Sequence, residues 1–359
     1  MTDLSDIFVD QIKTASTDKK MLTIVGNGTK TSLGRRVEHD AITLSTVKHT
    51  GITSYEPVEL VMTARAGTTL AEIDAELAKH NQYLACDPAR FDGQATIGGS
   101  LAANQAGPSR PWLGSLRDHV LGVNLINGKG EHLRFGGQVM KNVAGYDVSR
   151  LQAGAMGTLG LMTDISFKVL PCPAAAITLT QDIDADDAIY LMNQLAGQAK
   201  PLTAACWIEG ILYLQLSGAK SAVESTVDVW VGDIMPDQEA VMFWNGLRDH
   251  KHHFFSQRSA EQALWRFSIN STAAPFLKDE QWLFDWGGSL RWLKGDFAHA
   301  ELQQWAAEQG GEVILYQGGD RSKDIYYQPH SVMKKIQKEL KQSFDPHNIF
   351  NLGRLYSWM

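Results

Sequence analysis

Three segments rich in glycine and small residues limit the fold of the first half of the chain more than any other feature. They read Gly26-Asn27-Gly28-Thr29-Lys30, Ala95-Thr96-Ile97-Gly98-Gly99 and Gly154-Ala155-Met156-Gly157-Thr158-Leu159-Gly160. The first follows an apolar run at residues 21–25, which predicts a buried strand. Small side chains let the main chain approach a ligand closely, as a pyrophosphate held by N–H donors requires. Each segment alone also fits a tight turn.

Two common phosphate-binding motifs do not fit the first segment. A Walker A loop needs a Gly-Lys-Ser/Thr run, but Thr29 separates Gly28 from Lys30. A Rossmann fingerprint needs a third glycine at position 31, which is Thr31. The sequence therefore predicts a nucleotide site in which several loops converge on a ligand buried between subdomains.

Local patterns predict the elements around these segments. A strand at residues 60–64 precedes Thr69, whose spacing to Glu72 is that of a capping box, and the helix is expected to reach residue 80. Strands at 120–126 and 131–135 flank Asn127-Gly128-Lys129-Gly130, a hairpin signal. Alternating apolar and polar residues at 161–169 predict a half-buried strand.

The sequence changes character at Pro171-Cys172-Pro173, where we place a domain boundary. Beyond it, predicted strands at 206–209, 213–217, 265–269 and 313–316 alternate with amphipathic helices at 186–199, 238–249 and 298–309. A last helix is expected at 331–343. The predicted fold class is α+β. The predicted domains are residues 1–171, a smaller lobe of antiparallel sheet and helices at 172–330, and a tail at 331–359 that returns to the first domain.

Composition excludes several functions. The net charge of -7 disfavours a bulk electrostatic role on nucleic acid or an anionic membrane. The chain has no apolar run near the length of a membrane span, and its N-terminus does not resemble a signal peptide. Its three cysteines lie far apart, which indicates a reducing compartment and no structural zinc or iron–sulfur site. We expect a cytoplasmic protein with no metal.

Taken in order, the segments resemble the PCMH-type FAD-binding domain of the vanillyl-alcohol-oxidase superfamily. Residues 26–30 are similar to its first pyrophosphate loop, and residues 94–108 to its second, with 114–122 following. Residues 141–147 together with 157–163 resemble its last FAD-contacting segment. Residues 344–354 are similar to the C-terminal signature of FAD-linked 2-hydroxy-acid oxidases.

The resemblance implies one FAD, held between two α+β subdomains, and a set of residues that bind it. That set is Gly26, Asn27, Gly28, Thr29, Lys30, Pro88, Ala95, Thr96, Ile97, Gly98, Gly99, Ala102, Asn104, Gly107, Ser109, Gly114, Ser115, Arg117, Gly157, Gly160, Leu161 and Asn351. The pyrophosphate is expected on the main chain of residues 26–29 and 95–99. The first loop offers no histidine and the second no cysteine for covalent attachment, so we expect non-covalent FAD.

Within the superfamily, the chain resembles the small FAD-binding subunits of bacterial glycolate oxidases. Residues 108–112, 133–137, 139–147 and 285–288 carry this likeness. It implies a heteromeric enzyme that oxidises glycolate to glyoxylate, with a larger FAD-containing subunit and an iron–sulfur subunit as partners. The substrate would be a small 2-hydroxy acid, and any membrane association would be peripheral, through the complex.

One departure from the superfamily bears on the reaction. Members that oxidise 2-hydroxy acids carry a histidine-bearing element in the second domain, whereas residues 313–321 here contain no histidine. The obvious base for a substrate hydroxyl is therefore missing, and we expect the flavin to serve electron transfer or assembly. Two alternatives stay open: a self-sufficient FAD-dependent D-2-hydroxy-acid dehydrogenase similar to D-lactate dehydrogenases, and a structural subunit without flavin.

No catalytic residue can be assigned from the sequence. Arg266 and Arg291 each adjoin a tryptophan and are candidates for a carboxylate clamp, although a surface arginine beside a core aromatic is the simpler interpretation. His250, His252 and His253 are interpreted as a solvated helix end rather than a metal site.

Overall fold

A computed structural model describes residues 2–37, 40–137, 146–275 and 281–359. Its contacts divide the chain into two compact units. Among the described residues, the first unit comprises Met1–Gln105, Ser115–Pro171 and Arg321–Met359, and the second comprises Ala106–Gly114 and Cys172–Asp320. The predicted FAD-contacting residues 141–145 lie outside the described part of the chain.

The helices of the described residues are numbered in chain order. They are α1 (Ser5–Asp18), α2 (Leu70–Ala78), α3 (Ile97–Ala103), α4 (Arg110–Leu113), α5 (Leu116–His119), α6 (Val148–Leu151), α7 (Ala185–Ala196), α8 (Lys220–Val227), α9 (Asp237–Arg248), α10 (His253–Ser256), α11 (His299–Glu308) and α12 (Ser331–Phe344). A short 3₁₀ helix covers Trp286–Gly288.

The strands are numbered in the same way. They are β1 (Leu22–Val25), β2 (Ile42–Ser45), β3 (Ile52–Glu56), β4 (Val61–Arg65), β5 (Gln82–Tyr83), β6 (Val120–Ile126), β7 (His132–Gly136), β8 (Leu161–Lys168), β9 (Leu170–Pro171), β10 (Ala175–Asp182), β11 (Leu202–Ile208), β12 (Ile211–Gly218), β13 (Asp233–Ile234), β14 (Leu264–Ser268), β15 (Trp282–Asp285), β16 (Leu290–Lys294) and β17 (Glu312–Gln317).

The first unit contains a five-stranded antiparallel sheet in the order β3-β4-β8-β6-β7. Its main core joins the inward side chains of β4, β6 and β8 to those of α2 and α3, including Ile73, Leu101 and Phe167. A separate parallel pair, β1-β2, packs with α1 around a smaller core. The period-two pattern at 161–169 sets the burial of β8, since alternate side chains of a strand point to opposite faces.

Two local predictions in this unit are confirmed. The capping box begins α2: the Thr69 hydroxyl accepts from the Glu72 N–H at 3.2 Å, and the Glu72 carboxylate accepts from the Thr69 N–H at 2.8 Å. The predicted hairpin is β6-β7, and the Asn127 carboxamide oxygen accepts from the Lys129 N–H inside its turn. Both features arise from residues close in sequence.

The second unit contains an eight-stranded antiparallel sheet in the order β13-β10-β12-β11-β15-β16-β14-β17. Helix α11 covers one face near β14, where Trp305 of the helix meets Phe267 of the strand edge to face. The predicted mixture of antiparallel strands and amphipathic helices is confirmed, and with it the α+β class.

The unit boundaries differ from the predicted domains in two places. Residues 106–114 belong to the second unit, because the Trp286 indole donates to the Gly107 carbonyl at 2.9 Å and the Arg110 guanidinium stacks on the Trp286 ring. Residues 321–330 belong to the first, where Arg321 donates to the Gly34 carbonyl at 3.0 Å. In the described ranges, no helix combines the length and the apolar character needed to cross a membrane.

Candidate functional site

A cavity of about 180 Å³ lies in the first unit, beside β1 and the loop that follows it. Its lining joins segments that are distant in the chain. The lining residues are Met21, Leu22, Thr23, Ile24, Val25, Gly26, Asn27, Gly28, Thr29, Lys30, Thr31, Val37, Ala41, Thr96, Gly99, Ala102, Ala103, Met156, Asn351, Leu352 and Arg354. Nine of them belong to the predicted FAD-binding set: Gly26, Asn27, Gly28, Thr29, Lys30, Thr96, Gly99, Ala102 and Asn351.

The first glycine segment presents unused main-chain donors to this cavity. Across the described part of the chain, the N–H groups of residues 26–29 donate to no protein acceptor, although all four line the cavity. Main-chain N–H groups in folded proteins almost always have a partner. Consecutive unpaired N–H groups in a turn form a concave site that suits an anion, and phosphate groups use such sites.

Glycine is required here because other atoms occupy the space of a side chain. A Cβ atom on Gly26 would lie 2.6 Å from the Thr96 hydroxyl oxygen, and one on Gly157 would lie 2.7 Å from the Asn351 carboxamide nitrogen. Thr96 cannot easily move, because its hydroxyl accepts from the Gly99 N–H and begins α3. The first loop, α3 and the C-terminal tail therefore meet closely at one wall of the cavity.

The second segment differs, because four of its five main-chain donors are already used. The N–H groups of Ala95, Ile97 and Gly98 donate to the carbonyls of Arg90, Thr68 and Ala66, and that of Gly99 donates to the Thr96 hydroxyl. This corrects the expectation that both segments offer main-chain donors. A Cβ on Gly98 would lie 2.8 Å from the Ala66 carbonyl oxygen, so its glycine permits close packing of the protein on itself.

Two cations adjoin the first loop. The Lys30 ammonium lies 3.3 Å from the Thr29 hydroxyl, 3.4 Å from the Ser100 hydroxyl and 5.0 Å from the centre of the Phe91 ring. The Arg354 guanidinium donates to the carbonyls of Lys30 and Thr31, and burial lowers its pKa. An anionic group at the loop would reduce the cost of burying this charge.

The C-terminal tail positions Asn351 through a buried ion pair. The Lys341 ammonium lies 2.7 Å from the Asp345 carboxylate and also donates to the carbonyls of Thr158 and Phe350, and both charged side chains are almost fully buried. Asn351 then accepts from the Ile24 N–H at 2.8 Å and donates to the Met156 carbonyl at 2.6 Å. The signature at residues 344–354 therefore ties the tail to β1.

The remaining predicted FAD-binding residues lie outside the cavity lining. In the first unit these are Pro88, Ala95, Ile97, Gly98, Asn104, Ser115, Arg117, Gly157, Gly160 and Leu161. Several have structural roles: Ile97 and Leu161 are core residues, and Ser115 forms a capping box with Asp118. Gly107, Ser109 and Gly114 belong to the second unit.

Other lining residues were not predicted from the sequence. Val37, Ala41, Met156, Leu352 and Arg354 were not predicted to bind the cofactor, although all line the cavity. Arg354 had a signal, since it ends the C-terminal signature. Met156 and Leu352 also had signals, since they lie in the third glycine segment and in that signature, whereas Val37 and Ala41 lie in irregular segments that nothing local marks.

The residues at the cavity fit the two chemically distinct parts of FAD. Unpaired N–H groups and two cations suit the pyrophosphate, and the apolar lining residues Val37, Ala41 and Leu352 suit a ring. This fit rests on the first unit alone. Among the described residues, no group of three histidine, cysteine or acidic side chains is placed to hold a metal ion.

The two candidate arginines of the second unit differ in whether their guanidinium groups are available to bind a carboxylate. Arg291 is fully buried, and its guanidinium donates to the carbonyls of Gly288, Ala273 and Ala274. It is a structural residue, which removes it as a carboxylate clamp. Arg266 is partly buried and stacks on the rings of Trp286 and Trp292.

The interpretation of the histidines as a solvated helix end is wrong for His250. Its ring stacks on Phe255 at 4.4 Å and meets Trp292 and Tyr316 edge to face. Burial lowers the pKa of His250 to about 4. The backbone of His250 has a φ of 55°, which turns the chain inward after α9. His253 does remain at the surface, 2.9 Å from the Glu209 carboxylate.

Comparison with known families and proteins identifies similar sequences. A family model described as "FAD binding domain" matches residues 6–136. The chain is 40% identical over 356 residues to the glycolate oxidase subunit GlcE of Escherichia coli (strain K12), covering 99% of this chain and 98% of that protein. It is 29% identical over 164 residues to a D-lactate dehydrogenase of Anaerostipes hadrus, covering 44% of this chain and 34% of that one.

Solved structures of alkyldihydroxyacetonephosphate synthase are similar in fold. Two of them match with TM-scores of 0.64 and 0.66 at 14% identity, covering 96% and 95% of this chain and 74% of theirs. At that identity the likeness concerns the fold alone. Together with the family model, it confirms the predicted PCMH-type α+β fold, and the family model confirms FAD as the cofactor.

Proposed function

The chain belongs to the family of the glycolate oxidase subunit GlcE, a family of FAD-dependent oxidoreductases, and on that premise we propose that it is the FAD-binding subunit of a complex that oxidises glycolate to glyoxylate. The observation that carries the proposal is 40% identity along almost the whole length of both chains. When bound, FAD accepts the electrons that leave the substrate or another redox group.

In this proposal the first unit holds and orients the cofactor. The N–H groups of residues 26–29 bind the pyrophosphate, and Lys30 and Arg354 offset its charge. Thr96 and Asn351 hold the loop and the tail at a fixed distance. The cofactor is bound without a covalent link in this proposal, because the first loop offers no histidine and the second no cysteine for attachment.

The partners are part of the proposal. We place the chain beside a larger FAD-containing subunit and an iron–sulfur subunit, in the cytoplasm and peripheral to the inner membrane through the complex. A further relative carries the name of another subunit: the chain is 39% identical over 94 residues to the glycolate oxidase subunit GlcD of Bacillus subtilis (strain 168), covering 25% of this chain and 20% of that protein. The flavin of this chain then serves electron transfer or assembly, and glycolate is oxidised on the larger subunit.

The test is to co-purify the chain with its native partners and count flavin per subunit. We expect one FAD per copy of this chain, released into the supernatant by acid, and glycolate-dependent dye reduction by the complex. Stopped-flow mixing of the isolated chain with glycolate should reduce its flavin far more slowly than the complex turns over. A colourless chain, or a coloured acid pellet, would contradict the cofactor assignment.

A second candidate is a self-sufficient D-2-hydroxy-acid dehydrogenase. The likeness to the Anaerostipes hadrus D-lactate dehydrogenase favours it, although the match spans only a third of that protein. Rapid bleaching of the flavin of the isolated chain by D-lactate or glycolate, at the rate of turnover, would select this candidate over the first.

A further inference from the structure

Two arginines of the second unit share one tryptophan ring. The guanidinium carbon of Arg110 lies 4.5 Å from the centre of the Trp286 ring, and that of Arg266 lies 5.1 Å from it. Arg266 is also 5.9 Å from the centre of the Trp292 ring. We propose that this arginine–tryptophan cluster, Arg110, Arg266, Trp286 and Trp292, binds the carboxylate of a small organic acid.

The cluster carries positive charge without a direct counter-ion. In the described chain, no carboxylate oxygen lies within 4 Å of either guanidinium, and the one hydrogen bond seen from Arg266 goes to the Ser268 hydroxyl at 3.1 Å. Asp285 and Glu312 attract Arg266 from a greater distance, whereas Arg110 repels it. Asp285 is itself engaged, because its carboxylate accepts from the Trp286 N–H at 2.7 Å. A bound anion would relieve the repulsion between the two arginines.

Arg291 provides an internal comparison. It lies on β16, next to β14, which carries Arg266, and burial lowers the pKa of both guanidinium groups. The cost of burying Arg291 is offset by three carbonyl acceptors. Arg266 is only partly buried and lacks an equivalent set of protein acceptors, so the donors that it leaves unused reach solvent and are available to an anion.

The aromatic residues hold the two guanidinium planes in place. The Trp286 indole is fixed by its hydrogen bond to the Gly107 carbonyl, and Trp292 packs against Tyr316 and His250. Stacking on a ring leaves the edge of a guanidinium free to present parallel donors to a carboxylate. Arg110 lies at the surface, so a ligand can approach from solvent.

His250 adds a polar atom at the same aromatic wall. Its Nδ1 atom is buried and has no hydrogen-bond partner within the described residues. The groups that act on its charge are Arg266 and Arg258, which disfavour protonation, and Asp249, which favours it. The ring is neutral at pH 7, so its Nδ1 atom can donate a hydrogen bond to a hydroxyl group or accept one from it, according to the tautomer. A 2-hydroxy acid offers both a carboxylate and a hydroxyl. Choosing that ligand class rests on the proposed function, in which this chain would bind the acid and the larger subunit would oxidise it.

The test is calorimetric titration of the full chain, purified with its flavin, with glycolate, acetate and inorganic phosphate under anaerobic conditions. The variants are Arg110→Gln, Arg266→Gln and Arg266→Lys, with Lys220→Gln as an exposed cation control in the same unit. We expect each glutamine variant to weaken glycolate binding about ten- to a hundredfold, since each removes charge-assisted hydrogen bonds. The glycolate affinity of Arg266→Lys should lie between those of the wild type and Arg266→Gln, because lysine keeps the charge and lacks the parallel donors of a guanidinium. Lys220→Gln should match the wild type.

Arg110 is exposed, so its variant should fold even if the Arg266 variants do not. Equal glycolate affinity in Arg110→Gln and wild type would overturn the proposal, as would the absence of glycolate and acetate binding or a clear preference for phosphate. These failures would leave the flavin content and the glycolate oxidation of the assembled complex unchanged. Loss of both of those properties would instead count against the proposed function.

Discussion

Two of the three glycine segments of the first unit, residues 26–30 and 95–99, look alike in sequence and differ in use. The N–H groups of residues 26–29 have no protein acceptor and face the cavity, whereas four of the five in residues 95–99 already donate within the protein. The first segment needs glycine at position 26 because Thr96 occupies the space of a side chain, and its main-chain donors remain available to a ligand. The second needs it so that α3 can pack against β4 and the first loop. Glycine content alone does not distinguish these roles. They differ in whether the main-chain N–H groups of the segment already donate to protein acceptors.

The largest expected effect comes from the tail that supports the first loop. Asp345→Asn leaves the buried Lys341 ammonium without its counter-charge, and we expect a loss of about 3–5 kcal/mol in the free energy of unfolding. Denaturant titration measures it. Glu224→Gln, which breaks an exposed pair with Lys220, should cost less than about 1 kcal/mol and serves as the control. A small loss in Asp345→Asn would mean that the first loop does not depend on the tail.

The second segment should respond in stability rather than in cofactor affinity. Gly98→Ala places a Cβ 2.7 Å from that of Ala66, and overpacking of this kind costs about 1–3 kcal/mol. We expect the folded variant to bind FAD within about threefold of the wild type, since the Gly98 N–H donates to the protein. Thermal unfolding and titration of the flavin-free chain with FAD separate the two quantities. A large loss of FAD affinity in Gly98→Ala, at unchanged stability, would show that the second segment binds the cofactor through its main chain.

The first segment should respond in the opposite way. Gly26→Ala brings a Cβ to 2.6 Å from the Thr96 hydroxyl oxygen and displaces the loop. We expect FAD affinity to fall about tenfold or more, which corresponds to about 1.4 kcal/mol. Adding Thr96→Ala removes the clashing oxygen and should recover part of the affinity in a double-mutant cycle. Gly197→Ala, where the nearest atom is 3.6 Å away, is the matched control.

The smallest expected effect is electrostatic. Lys30→Gln removes a charge beside the first loop while leaving its main-chain donors in place, and we expect FAD binding to weaken about two- to fivefold. The difference should shrink as ionic strength rises, because salt screens a partly exposed charge. Lys48→Gln, an exposed lysine outside the cavity lining, should have no effect. A loss as large as that of Gly26→Ala would show that the side chain, not the main chain, dominates.

Much of the fold could be predicted because its signals are local. The capping box of Thr69 and Glu72, the β6-β7 hairpin and the alternation along β8 each depend on residues a few positions apart. The cavity itself could be predicted only in part. Its first loop follows a strand and carries glycine, but the contact between Ile24 and Asn351 joins residues 327 positions apart. Only the family resemblance connected those two segments.

Two features of the second unit had no usable signal. Residues 106–114 join that unit because the Trp286 indole donates to the Gly107 carbonyl and the Arg110 guanidinium stacks on the Trp286 ring. No periodic sequence pattern predicts these contacts. The histidines at 250–253 look like a solvated helix end because charged residues surround them. A left-handed backbone at His250 and the rings of Phe255, Trp292 and Tyr316 enclose it instead. Burial of this kind depends on which strands become neighbours.

The most direct test of the central claim is amide hydrogen exchange of the flavin-free and FAD-loaded chain, read in peptides that cover residues 26–30 and 95–99. We expect FAD to slow exchange strongly in the first segment, because its free N–H groups gain acceptors. Exchange in the second segment should be slow in both forms, because most of its N–H groups are already bonded. Unchanged exchange in the first segment, with new protection in the second, would contradict it.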